Sequence, residues 1–164
     1  MRLPWPAVTG GLLAVAVGAA GLIRAAVPEP ASAPASPSGP GAVTVVNAYV
    51  RAPIPPHADV AAAYFTVYNT TGRVDRIVRV LAGAGAAATL HTDVGGHMQL
   101  VRHGVAVPAH GKLVLAPGGV HVMIEHLFGE LPAGEQVNLE VDFARAGPLD
   151  VVAKVIPYGA KPPS

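Results

Sequence analysis

The sequence predicts an all-β domain, a Greek-key sandwich of two packed antiparallel sheets. Three observations lead there. After Gly41 the chain breaks into short apolar runs rich in β-branched residues. Clusters of Gly, Pro, Asn and Asp separate those runs. No segment sustains a helical period over about ten residues, so the runs can bury one face each only by packing sheet on sheet.

Ahead of the body lie two different segments. From Leu3 to Ile23 there are 21 uncharged residues between Arg2 and Arg24, about the length a helix needs to cross roughly 30 Å of hydrocarbon. Residues 1–27 therefore read as an export signal or a membrane anchor. Ala33-Pro34-Ala35 resembles a cleavage site but lies well past the apolar run, which favours the anchor. Residues 28–41, PEPASAPASPSGPG, lack the apolar content of a core and favour extended polyproline geometry, so they read as a solvated tether. The body is expected over 42–158, with 159–164 as a tail.

Within the body the predicted strands are Val43–Val50, Ala62–Tyr68, Ile77–Leu81, Ala87–His91, His97–Val101, Lys112–Leu115, Gly119–Glu125, Gln136–Phe143 and Asp150–Ile156. Turn chemistry sits between them, as in Asn69-Thr70-Thr71-Gly72, Gly95-Gly96, Pro108-Ala109-His110-Gly111 and Pro117-Gly118-Gly119. No internal repeat is present.

Composition removes most functional classes. Net charge is +1 with 13% charged residues, scattered singly, which leaves no electrostatic footprint for nucleic acid. Cys is absent, which excludes zinc ribbons, thiol nucleophiles, cysteine-ligated blue copper and a lipidated cysteine. Ser occurs only at Ser32, Ser36, Ser38 and Ser164, outside the body, and neither a His-Glu-x-x-His motif nor a carboxylate pair is found. The chain therefore reads as a binding protein rather than an enzyme. Any metal must be held by His, Met or carboxylate.

Met98 and Met123 are the only methionines after the initiator, and each lies within two positions of a histidine. Side chains alternate along a strand, so His121 and Met123 share one face while Val120, Val122 and Ile124 face the core. His91 and Met98 flank Gly95-Gly96, a turn that could carry both to the same end of the sandwich. Thioether sulfur is soft and needs no deprotonation, so it favours Cu(I) over Zn(II) or Mg(II), and imidazole is a donor that copper accepts in either state. His91, Met98, His121 and Met123 are the candidate ligands. Glu125 falls on the same face and reads as a rim charge. His57, His103, His110 and His126 read as ordinary surface residues. An alternative is a general envelope metal-binding or interaction module that takes Zn(II) or Cu(II) through His91, His97 and His103.

These residues resemble the periplasmic Cu(A)-site copper chaperone family, abbreviated PCuAC. The matching stretches run from about Val45 to Ile156 and include Asn47-Ala-Tyr-Val-Arg51, Ala62-Ala-Tyr-Phe-Thr-Val-Tyr-Asn69, Leu90-His91 and Leu115-Ala-Pro-Gly-Gly-Val-His-Val-Met123. The family pattern runs from His to Met after roughly ten residues, then to His-x-Met after roughly twenty-one more. Here six residues separate His91 from Met98, so Leu100 aligns with the family methionine, with Met98 or His97 as its substitute. The resemblance implies a cupredoxin-like β-sandwich without the cupredoxin cysteine, binding one Cu(I) per monomer at an exposed end. It also implies delivery of that copper to the oxidase subunit carrying the Cu(A) centre, with a thioredoxin-like chaperone as a possible partner, outside the cytoplasm in the periplasm or on the outer membrane face.

Overall fold

The computed structural model describes residues 42–163, so the proposed anchor and tether lie outside the described residues. Ten strands form the body: β1 Val43–Arg51, β2 Val60–Asn69, β3 Asp75–Ala82, β4 Gly85–Val94, β5 His97–Leu100, β6 Val105–Val107, β7 Gly111–Val114, β8 His121–Leu127, β9 Gln136–Phe143 and β10 Gly147–Ile156. Among the described residues no helix occurs, and they form the all-β class expected of the body from the sequence. Nine strands lie in the hydrogen-bonded order β5-β4-β8-β2-β1-β10-β9-β3-β6, and β7 joins at β2.

Period-two burial explains the layering. Along β9, Val137, Leu139, Val141 and Phe143 are buried; along β2, Ala61, Ala63, Phe65 and Val67 are. With Val122 and Ile124 of β8 and Val155 of β10 they form the single main core. β2 is the spine: its first half pairs with β8 and its last four residues with β7, while β1 runs along its other edge. A second, smaller cluster of Tyr49, Tyr64 and Ile156 lies apart from that core.

Two features depart from expectation. β1 and β10 pair in parallel, Tyr49 with Lys154 through Arg51 with Ile156, which an all-antiparallel reading did not include. These strands are separated by the whole body, so no short hairpin dictates their direction. The three-residue β6 was also not expected; it pairs with the start of β3 and buries Val107.

The loop leading into β6 supplies a stability prediction. Gly104 has φ +70°, and a Cβ there would overlap the Ile77 carbonyl oxygen on β3. Gly104→Ala combines a left-handed conformation with a backbone clash, so a loss of about 2–4 kcal/mol is expected. Urea denaturation of the purified variant checks it; an unchanged midpoint would contradict this packing.

Candidate metal centre

Three strands build the site. β4 and β8 pair antiparallel with His91 directly opposite His121, and β5 pairs with β4 so that Met98 faces Asp93 and Leu100 faces His91. Residues opposite one another share a sheet face, as do residues two apart on one strand. His91, Thr89, His121, Met123, Glu125, Met98 and Leu100 therefore occupy one face. The intervening Val122 and Ile124 are fully buried in the core, as the alternation predicted, so this face is the outer one.

The β4–β5 hairpin is closed by Gly95 and Gly96, at φ +62° and +80°, and Val94 pairs with His97 across it. Two consecutive left-handed residues make the turn type that suits strand twist, and glycine accepts it at little cost. Asp93 Oδ1 accepts a 2.8 Å hydrogen bond from the Gly96 amide and steadies the turn. The turn folds Met98 back over β4.

The hydrogen bonds of His121 fix which ring nitrogen is free. Its Nδ1 lies 2.9 Å from the Gly119 carbonyl oxygen, which only accepts, so Nδ1 carries the hydrogen. In the neutral ring Nε2 is then a bare lone pair, and it faces the Met98 sulfur at 3.4 Å. Two electron-pair donors are brought together with no hydrogen between them, an arrangement that a soft cation satisfies. His121 as a whole is 9% exposed, while Met98 is 56% exposed at the rim.

His91 stacks 6.0 Å from His121 between ring centroids. Its Nε2 is 2.9 Å from Thr89 Oγ1, and its Nδ1 is buried without a hydrogen-bond partner. Tyr64, stacked on Tyr49 at 5.0 Å, approaches His121 from the β2 side with ring centroids 6.3 Å apart. Met123 pairs with Ala62 and Thr89 in the two flanking ladders and forms part of one wall of an open groove of about 590 Å³ with Arg51, Ile54, His57, Tyr64 and Tyr158.

The geometry thus gathers Met98, His91 and His121, with Met123 one pleat further along the same face. His97, adjacent to Met98, projects from the opposite face of β5 and is exposed. Among the described residues no group of three or more His, Cys, Asp or Glu is placed to hold a metal ion, so an all-histidine site through His91, His97 and His103 has no geometric counterpart there. Thr89 and Tyr64 were not singled out from the sequence. Thr89 could have been, because it precedes His91 by two on the same strand.

Burial pulls the His91 imidazole below its ordinary 6.5, the facing His121 adds to that, and the Glu125 carboxylate opposes it. A depressed histidine pKa means that the unfolded chain binds more protons, so stability of the metal-free protein rises with pH across this window. That contribution is complete above about 6.5 and is lost as pH falls from there toward the folded value. Urea midpoints of wild type and His91→Gln at pH 7.5 and 5.5 test this: the wild type is expected to lose more on acidification.

Residues 43–155 match the family model described as "Putative lipoprotein LpqE-like". A relative from Leifsonia xyli subsp. xyli (strain CTCB07), named "Putative lipoprotein Lxx21020", is 31% identical over 139 residues, 82% of each chain. The solution structure of Cu(I)-DR1885 from Deinococcus radiodurans is 29% identical with a TM-score of 0.54, covering 77% of this chain and 83% of that one. The apo PCuAC domain from PmoF1 is 25% identical with a TM-score of 0.64, covering 73% of this chain and 97% of that domain. The resemblance drawn from the His-x-Met motif and the cupredoxin-like sandwich it implied are both borne out by these matches.

Proposed function

The chain belongs to the LpqE-like family, and on that premise we propose that it is an extracytoplasmic Cu(I) carrier whose cargo is held by Met98, His91, His121 and Met123. One observation carries the reading: the Met98 thioether lies 3.4 Å from a bare imidazole nitrogen of His121 on an outer sheet face. Thioether and imidazole together select Cu(I) from among biological cations, and a Cu(I)-bound structural relative supports the same choice.

The placement suits transfer rather than storage. Met98 is exposed, and Met123 opens to a groove, so a recipient's ligands can enter while the histidines still hold the ion. Stepwise ligand exchange needs such access more than it needs maximal affinity. The proposed recipient is the oxidase subunit that carries the Cu(A) centre, with a thioredoxin-like chaperone as a second partner. All 164 residues lack Cys, so the apolar segment of residues 3–23, and not a lipidated cysteine, is the proposed attachment to the outer face of the membrane. Residues 28–41 then act as the tether and 42–158 as the carrier domain.

An anaerobic Cu(I) competition titration of the full-length chain tests the reading, comparing wild type with Met98→Ala and Met123→Ala. One Cu(I) per chain and weaker binding in both variants are expected. Affinity unchanged in both would refute a thioether site.

A further inference from the structure

We propose that Thr89 is a positioning residue that sets the tautomer of His91, so that His91 meets the metal through Nδ1 while His121 does so through Nε2. The proposal rests on the Cu(I) reading above, since it names the donor atoms of that site.

The argument follows the hydrogens. Thr89 Oγ1 lies 2.9 Å from His91 Nε2 and 3.5 Å from Glu125 Oε2. A hydroxyl has one hydrogen to give and two lone pairs to offer, whereas an ionised carboxylate only accepts. With Glu125 drawing the hydroxyl hydrogen, Thr89 Oγ1 accepts from His91, and the His91 hydrogen resides on Nε2. Nδ1 is left as a lone pair. That atom is the buried side-chain nitrogen without a partner among the described residues, and an unsatisfied buried polar group costs stability unless something fills it. A coordinated cation supplies the missing partner.

The two histidines are thus oriented by different devices that produce opposite tautomers. For His121 the device is a backbone carbonyl, at Gly119 in the turn before β8. For His91 it is a side-chain hydroxyl two residues earlier on the same strand. Outer partners of this kind fix ring orientation and raise ligand basicity, and their loss commonly weakens metal binding about 10–100-fold. The asymmetry has a sequence consequence. A substitution at Gly119 leaves its carbonyl in place, whereas a substitution at Thr89 by any residue without a hydroxyl on Cβ removes the group that orients His91.

The test is a long-range ¹H–¹⁵N correlation spectrum of the metal-free, full-length chain in detergent at pH 7.5, with the histidine rings assigned. His91 is expected to show a protonated Nε2 and His121 a protonated Nδ1. A wild-type His91 protonated on Nδ1 overturns the proposal. Thr89→Val, which keeps the shape and removes the hydroxyl, is expected to mix the two His91 tautomers and weaken Cu(I) binding about tenfold. Thr89→Ser is expected to restore both. A Thr89→Val chain that keeps a pure Nε2-protonated His91 overturns the role of Thr89. Because the spectrum is recorded without metal, it reads the tautomers even if Cu(I) binding itself fails, which separates this proposal from the one it rests on.

Discussion

Replacing His121 with alanine is expected to weaken Cu(I) binding on the order of a hundredfold or more, about 2.7 kcal/mol. His121 is the hub of the proposed site. Its Nε2 faces the Met98 sulfur, its ring stacks with His91, and its other nitrogen is held by the Gly119 carbonyl. A ligand already ordered in the metal-free protein loses little entropy on binding, so removing it forfeits nearly its whole contribution. Met98→Ala is expected to cost less, because that side chain is 56% exposed and must be ordered when it binds. The ranking is measurable by the same anaerobic competition titration. If Met98→Ala proved more damaging than His121→Ala, the hub would be misassigned.

Half of that site was legible in the sequence, because the relevant rule is local. His121 and Met123 are two apart on one strand, and a period of two places them together whatever the rest of the chain does. The Gly95-Gly96 turn was legible for the same reason, since its neighbours are fixed by hairpin geometry. Pairing register was not local. That His121 faces His91 on β4, and that Met98 reaches His121 from the strand beyond, depends on which strands are neighbours and by how much each is offset. The same limit hid Tyr64, brought beside His121 by the β2–β8 ladder. It also hid the parallel β1–β10 pair, which joins strands separated by almost the whole body. Leu100 illustrates the difference: spacing aligns it with a family methionine, and register puts it directly across from His91. A thioether at position 100 would stand beside that imidazole, yet this chain offers sulfur from Met98 instead, by way of a flexible side chain at the sheet edge.

Asp75→Ala is expected to have the opposite phenotype: large for stability, small for copper. Asp75 is 4% exposed, and its carboxylate accepts three backbone amides, from Arg76 at 2.7 Å, Arg145 at 2.9 Å and Ala146 at 3.0 Å. Two of those amides belong to the β9–β10 turn, so one side chain at the start of β3 ties down a hairpin about seventy residues away in sequence. Alanine leaves all three donors without that acceptor, and with hydrogen bonds to a charged group contributing about 1.5–3 kcal/mol each, partly recovered by water, a net loss of about 4 kcal/mol follows. For a body of this size that lowers the melting temperature by roughly 15 °C. Asp75→Asn keeps one acceptor oxygen and should fall between. None of the Asp75 hydrogen bonds involves β4, β5 or β8, so the folded fraction of Asp75→Ala should bind Cu(I) as wild type does. His121→Ala should instead bind poorly while its melting temperature falls less than that of Asp75→Ala, because it gives up one hydrogen bond and some ring packing rather than three hydrogen bonds to a charged group. Thermal melts and Cu(I) titrations on the two variants therefore form a double dissociation. If Asp75→Ala lost copper affinity while fully folded, the sheet bearing the histidines would be coupled to the β9–β10 corner in a way that the Asp75 hydrogen bonds do not provide.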